Sequence, residues 1–147
     1  MKFPLFVVVT AFASLVAHAA DNEAAVAALS KALSCDVALG KMQSVVKAAK
    51  ALGATPGKME HEYILVSPIS IFGLPVTKIA ITPADEGPET YAAIFVGEKS
   101  KLNEIASAAQ LKPLAGSFVR NTSKGSLSAG VFDRNDVWLT CTPTSKK

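Results

Sequence analysis

The sequence predicts an α+β fold in which a mainly antiparallel sheet of about five to six strands packs against N-terminal helices and one inserted helix. Two observations favour this class. Residues 21–52 are rich in alanine and repeat their apolar residues at helical spacing, whereas most of the chain after Gly57 consists of short apolar or alternating runs separated by turn residues. Helices that do not alternate regularly with strands favour an antiparallel sheet over a parallel one.

The first 19 residues have the pattern of an export signal that is removed from the mature protein. Lys2 supplies a basic start, the run from Leu5 to Val16 is almost entirely apolar, and Ala17-His18-Ala19 places small residues at the two positions that a signal peptidase reads. We predict cleavage before Ala20, which leaves residues 20–147 as a single exported domain. A membrane anchor is the alternative interpretation, but the apolar run is short for a span of about 20 residues.

Charge and hydropathy then limit the partners of the exported domain. The 15 basic and 12 acidic residues give a formal net charge of +3, which falls to +2 when Lys2 leaves with the leader. Because this excess is small and scattered, we expect no nucleic-acid binding. No later segment offers 18 consecutive apolar residues, so we expect no stable membrane insertion after cleavage. The predicted compartment is a bacterial periplasm, with secretion outside the cell as the alternative.

The two cysteines, Cys35 and Cys141, predict a disulfide bond. An exported pair in an oxidising compartment most simply forms a disulfide, and this one would close a loop long enough to stabilise the fold by about 4–5 kcal/mol. Two free thiols or a metal-binding pair are the alternatives. The chain has no short Cys-x-x-Cys spacing, and His61 is the only histidine that remains after cleavage.

The helical region from Asp21 to Leu52 is expected to form two helices. Ser34 and the residues that follow it weaken helix formation, so we place a break there, while Gly53 is suited to end the second helix. A third, short helix is predicted with Ser100 as its N-cap and its end near Gln110.

Strand-like runs occupy most of the remaining chain. Pro68 falls inside the first run, where it fits a bulge or an edge, and Arg134-Asn135 is expected to form a tight hairpin turn. No residue pattern supports an internal repeat, although three strands are predicted on either side of the third helix. The predicted strands lie in residues 63–72, 76–82, 91–96, 117–121, 126–133 and 137–142.

The sequence lacks the residue sets of the common catalytic and cofactor sites. His61 is flanked by Glu60 and Glu62, which in an extended strand would point away from it, so we predict neither a metal site nor a catalytic histidine there. We predict no cofactor and no enzyme activity. A carboxylate-based hydrolase remains as an alternative, and it would require Glu60 or Glu62 to meet Glu98 in a cleft. An acidic loop containing Asp85, Glu86 and Glu89 is interpreted as solvated instead of calcium-binding.

These observations favour a small binding protein that recognises another exported protein, as an inhibitor or an immunity protein does. The segment from Ser67 to Pro75 is apolar, bracketed by prolines and free of charge. It is interpreted either as a buried strand-turn-strand or as a rigid, exposed contact loop that a partner covers. The predicted partner contacts are Ile71, Phe72, Leu74, Arg134 and Trp138.

The alternative binding function is a carrier of a small apolar ligand. In that case the ligand would occupy a cavity between the alanine-rich helices and the sheet. Met42, Val45 and Ile79 would line the cavity.

Overall fold

A computed structural model describes residues 13–133 and 135–145, with side chains described from residue 18 onward. Residues 1–12 of the predicted leader therefore lie outside the described residues, as does Arg134. The predicted cleavage point before Ala20 falls within the first helix. None of the described helices is both long enough and apolar enough to cross a membrane.

The described residues form three α-helices and one eight-stranded antiparallel sheet, which confirms the α+β class. The sheet has more strands than predicted, because the two short edge strands at Thr55–Pro56 and Lys112–Leu114 were not predicted. The elements are α1 (Ala13–Leu33), α2 (Met42–Ala51), β1 (Thr55–Pro56), β2 (Glu62–Ile71), β3 (Leu74–Thr82), β4 (Thr90–Phe95), a 3₁₀ turn (Lys99–Lys101), α3 (Leu102–Ala108), β5 (Lys112–Leu114), β6 (Ser117–Asn121), β7 (Gly125–Phe132) and β8 (Asp136–Pro143).

The sheet consists of two four-stranded meanders that meet side by side. Its strand order is β1-β2-β3-β4-β8-β7-β6-β5, and every neighbouring pair is antiparallel. We call residues 13–95 the first half and residues 102–143 the second half. Each half contains one short edge strand, two longer strands and a last strand, and the two last strands, β4 and β8, join the halves.

The two halves repeat the same backbone plan, which the sequence alone did not reveal. Gly53 and Gln110 follow α2 and α3 in the same left-handed conformation, with φ angles of 74° and 56°. Both helix ends then use the same hydrogen bond, from Ala54 N to the Ala49 carbonyl at 3.1 Å and from Leu111 N to the Ala106 carbonyl at 2.8 Å. The edge strands also pair in one register: Thr55↔Ile64 and Pro56↔Tyr63, against Lys112↔Val119 and Pro113↔Phe118.

The main core lies between the helices and one face of the sheet. Alternate strand residues point to this face, and alanines on the helices allow a close approach to it. The fully buried side chains on both sides of this layer include Leu29, Leu33, Ala49, Ile79, Ile81, Tyr91, Ala93, Ala106, Leu127 and Leu139.

The hairpin between β2 and β3 forms a long arm that extends over the second half. The pairing of β2 with β3 shifts between Ile64 and Ile69, which confirms the predicted irregularity at Pro68. Ile71 is 2% exposed in the core, and Phe72 at the tip lies 5.6 Å from the Arg120 guanidinium on β6. The tip of the arm therefore lies beside β6 of the second half.

The predicted disulfide between Cys35 and Cys141 is present, and it joins the two halves. Its Cα atoms are 5.0 Å apart and the residues are separated by 106 positions. Around it, Thr122 Oγ1 donates a hydrogen bond to the Cys35 carbonyl at 3.0 Å, and Lys124 Nζ lies 2.6 Å from Asp36 Oδ1. The hydrogen bond and charge of Lys124 lower the pKa of Asp36.

The helix boundaries confirm most of the sequence prediction. The break after α1 lies at Leu33, next to the predicted Ser34, and Gly53 follows α2 as expected. The predicted N-cap at Ser100 is wrong: Ser100 lies within the 3₁₀ turn, and Lys101 occupies the N-cap position of α3 without a side-chain cap. A tighter turn therefore begins this element before α3 starts.

Candidate functional site

Among the described residues, no helix lies on the second face of the sheet, which we call the open face. Ala80, Ala92 and Ile94 point to this side and form a small cluster with Trp138, separate from the main core and without any helix residue. Within residues 13–133 and 135–145, no helix packs on these side chains. Among the described residues, the open face is thus a regular surface that no helix covers.

An aromatic pair and a small pocket occupy the open face of the second half. The rings of Phe132 and Trp138 lie 4.7 Å apart with planes at 45°, a favourable tilted geometry. Beside them is a pocket of about 200 Å³, which exists because Gly130 has no side chain opposite Trp138. A Cβ atom added at Gly130 would meet no atom within 4 Å. The lining residues are all uncharged and include Ser117, Ser128, Gly130, Phe132, Trp138 and Thr140.

A band of hydroxyl side chains runs beside this pocket across the central strands. All six are half-buried, and strand register places them on the open face. No hydrogen bond within the described part of the chain uses these hydroxyls, so they can donate to or accept from a partner. The hydroxyl band consists of Thr82, Thr90, Ser126, Ser128, Thr140 and Thr142.

The open face of the first half carries a buried ion pair instead. Lys78 Nζ lies 2.9 Å from Glu62 Oε1, and Glu62 is 2% exposed. The other carboxylate oxygen of Glu62 accepts a hydrogen bond from Met59 N at 3.2 Å, which fixes the turn before β2. This pair is neutral overall, and breaking it would leave a buried charge without a partner.

The structure does not bring the predicted contact residues together. Trp138 lies on the open face, whereas Phe72 and Leu74 pack against the main core on the helix side. The side chain of Ile71 is buried in that core, so it offers almost no surface to a partner. Arg134 lies outside the described residues. Contact through Phe72 and Leu74 stays a prediction, but it would use a different surface from Trp138.

The predicted carrier cavity is not formed by its three predicted lining residues. Val45 and Ile79 are 2% and 0% exposed and pack within the main core, because the helices sit close to the sheet. Met42 instead lines a groove of about 380 Å³ along α2 with Val46 and Lys50, and neither Val45 nor Ile79 borders it.

The acidic loop between β3 and β4 does not gather its three carboxylates. Glu89 is buried and accepts hydrogen bonds from Gly40 N at 3.1 and 3.2 Å and from the Tyr91 hydroxyl. Asp85 and Glu86 are exposed. Burial, and then the hydrogen bond and charge of Glu89, raise the pKa of Tyr91. The Glu89 cluster therefore ties the loop after α1 to β4.

His61 is in a different environment from the one expected. Its φ angle of 63° breaks the extended alternation, so Glu62 turns into the ion pair with Lys78 while Glu86 comes within 2.8 Å of His61 Nε2. Of the carboxylates considered for hydrolysis, Glu62 pairs with Lys78 and Glu98 pairs with Lys101 at 3.1 Å. The interaction of His61 with Glu86 spans 25 residues and leaves no signal in the sequence.

Comparison of this chain with protein-family models, with curated proteins and with solved structures finds no match.

Proposed function

We propose that this chain is an exported, disulfide-stapled binding protein that recognises another exported protein through the open face of its sheet. The observation that carries the proposal is the combination of an uncovered sheet face with the Phe132–Trp138 pair and the pocket beside it. We propose further that the chain acts by binding, as an inhibitor or immunity protein does, and not by catalysis.

The chemistry of the open face favours a protein partner over a small apolar ligand. Aromatic side chains supply contact area at a low cost in conformational entropy, and neighbouring hydroxyls supply adaptable hydrogen bonds. Phe132 and Trp138 provide the aromatic contact area, and the hydroxyl band provides the adaptable hydrogen bonds. A carrier, in contrast, would need an enclosed apolar cavity, and the pocket beside Trp138 lies at the surface of an uncovered face.

The charge of the open face indicates the kind of partner surface. The pocket lining is uncharged, and the Glu62–Lys78 pair in the other half has no net charge. A complementary partner would therefore present an uncharged centre. The pocket volume of about 200 Å³ suits one aromatic or branched aliphatic side chain, since a cavity of about 150 Å³ holds benzene.

The disulfide and the shared core support this function by holding the surface rigid. The Cys35–Cys141 bond fixes the loop after α1 to β8, the strand that carries Trp138. A surface that is ordered before association loses less conformational entropy on binding than a mobile one.

The experiment uses the wild-type chain and two surface variants as baits for exported proteins of the source organism. Ser128→Arg places a bulky charge in the pocket, and Gln43→Arg is the matched control on the exposed side of α2. A captured protein is then purified and titrated against each bait by calorimetry.

We expect Ser128→Arg to weaken binding at least tenfold and Gln43→Arg to leave it unchanged, because only the first change lies on the open face. The proposal fails if no exported protein binds the wild-type chain. It fails equally if Ser128→Arg binds like wild type.

A further inference from the structure

One histidine and two glutamates from separate segments meet beside the start of β2. His61 Nε2 lies 2.8 Å from Glu86 Oε2 and 3.9 Å from Glu60 Oε1. One ligand atom from each of the three residues lies within 4.8 Å of the others. Glu60 and His61 precede β2, whereas Glu86 belongs to the loop between β3 and β4. The fold thus brings one imidazole nitrogen and two carboxylate oxygens within 4.8 Å of one another.

Among the described residues, His61 is the only basic side chain that contacts the two carboxylates of this cluster. Among the described residues, neither Glu60 nor Glu86 pairs with a lysine or an arginine, whereas Glu62 and Glu98 each pair with a lysine. With a neutral imidazole the cluster carries two negative charges at close range. Like charges that share a site are unfavourable unless a cation lies between them.

The backbone holds the histidine in place. Ile81 N donates a hydrogen bond to the His61 carbonyl at 3.0 Å, which extends the pairing of β3 with the turn before β2. The buried Glu62 anchors the same turn through Met59 N. His61 therefore stays beside the loop that carries Glu86.

We propose that Glu60, His61 and Glu86 bind a divalent first-row transition-metal ion, with Zn²⁺ as the representative ion and water completing its coordination. Histidine nitrogen with carboxylate oxygen is a donor set that Zn²⁺ accepts, at distances of about 2.0–2.2 Å. Ca²⁺ and Mg²⁺ prefer oxygen donors alone, so the imidazole disfavours them. The exposed side chains of Glu60 and Glu86 can adjust to the ion, while His61 fixes its position.

Calorimetric titration of the untagged protein with ZnCl₂ tests this site. His61→Gln and Glu86→Gln each remove one donor, and Glu98→Gln is the matched control outside the cluster. We expect each cluster variant to weaken Zn²⁺ binding at least tenfold, since even residues that only support metal ligands change affinity by about 10–100-fold. The control should bind like wild type.

A second measurement keeps the test independent of how the variants fold. In NMR spectra of the wild-type protein, the ring resonances of His61 should shift or broaden as Zn²⁺ is added. The ring resonances of Tyr91, which lies in the core, should not change. The site is ruled out if the wild-type protein binds no Zn²⁺ when the ZnCl₂ concentration reaches 1 mM, because a dissociation constant above 1 mM corresponds to very weak binding. It is also ruled out if either cluster variant binds Zn²⁺ as tightly as wild type.

Discussion

The two halves of this molecule share one backbone plan but differ in what covers them and in what they expose. The first half has two helices on its inner face and the Glu62–Lys78 ion pair on its open face. The second half has one short helix, contacts the tip of the arm through Arg120, and carries the Phe132–Trp138 pair with its pocket on its open face. The shared features keep the sheet intact, and the differences place the Phe132–Trp138 pair and its pocket on the open face of the second half.

The largest expected effect comes from removing the disulfide bond that cross-links the two halves. Replacing Cys35 and Cys141 by serine should lower the free energy of unfolding by about 4–5 kcal/mol, because the bond closes a loop of 106 positions. Urea unfolding of the double variant and of reduced wild type measures this. Equal midpoints for variant and oxidised wild type would mean that the halves hold together without the bond.

The next effect compares the two faces of β8 at adjacent residues. Leu139 is fully buried against the helices, so Leu139→Ala should cost about 3 kcal/mol. Trp138→Phe, on the open face, should change stability by less than about 0.5 kcal/mol, because the indole N–H has no hydrogen-bond partner among the described residues. Thermal or urea unfolding of both variants provides the comparison, and similar losses would contradict the assignment of the faces.

Two glycines on β7 sharpen the same comparison within one strand. A Cβ at Gly125 would come within 2.8 Å of Pro143 Cα, so Gly125→Ala should destabilise the protein by about 2 kcal/mol. Gly130→Ala points into the empty pocket and should be neutral or slightly stabilising. Unfolding measurements on the pair check this, and a large loss at Gly130 would show that the pocket is not open space.

The smallest effect concerns the buried cluster that anchors the loop after α1. Because the pKa of Tyr91 is raised in the folded state, the unfolded state loses this proton first as pH rises. The free energy of unfolding should therefore fall above about pH 10, by up to about 1.4 kcal/mol per pH unit. In Tyr91→Phe this fall should be reduced, and in Tyr63→Phe it should remain. Unfolding curves recorded between pH 8 and 11 would refute the account if Tyr91→Phe kept the full fall.

Much of the fold followed from local sequence signals. Gly53 and Pro68 lie where their backbone preferences place them, and the cysteines pair as their export context predicts. The edge strands β1 and β5 were missed because two or three residues carry no periodicity. The shared backbone plan of the two halves could not be predicted from the sequence. Gly53 and Gln110 adopt the same left-handed conformation, but their side chains are different.

The functional surfaces were harder to predict than the elements. The sequence identified Trp138 as a candidate contact, which stays a prediction, but nothing local indicates which face of the sheet remains uncovered. That depends on where all three helices and the long arm pack, which is a property of the whole fold. The meeting of His61 with Glu86 depends in the same way on a left-handed residue at His61 and on a loop 25 residues away.

Binding through the open face is the central claim, and the single tryptophan allows a direct test of it. Protein labelled with 5-fluorotryptophan would give one fluorine resonance, from Trp138, to follow while the captured partner is titrated. We predict that this resonance shifts as the complex forms and that Ser128→Arg prevents the shift. A stable complex in which the Trp138 resonance does not move would contradict the account.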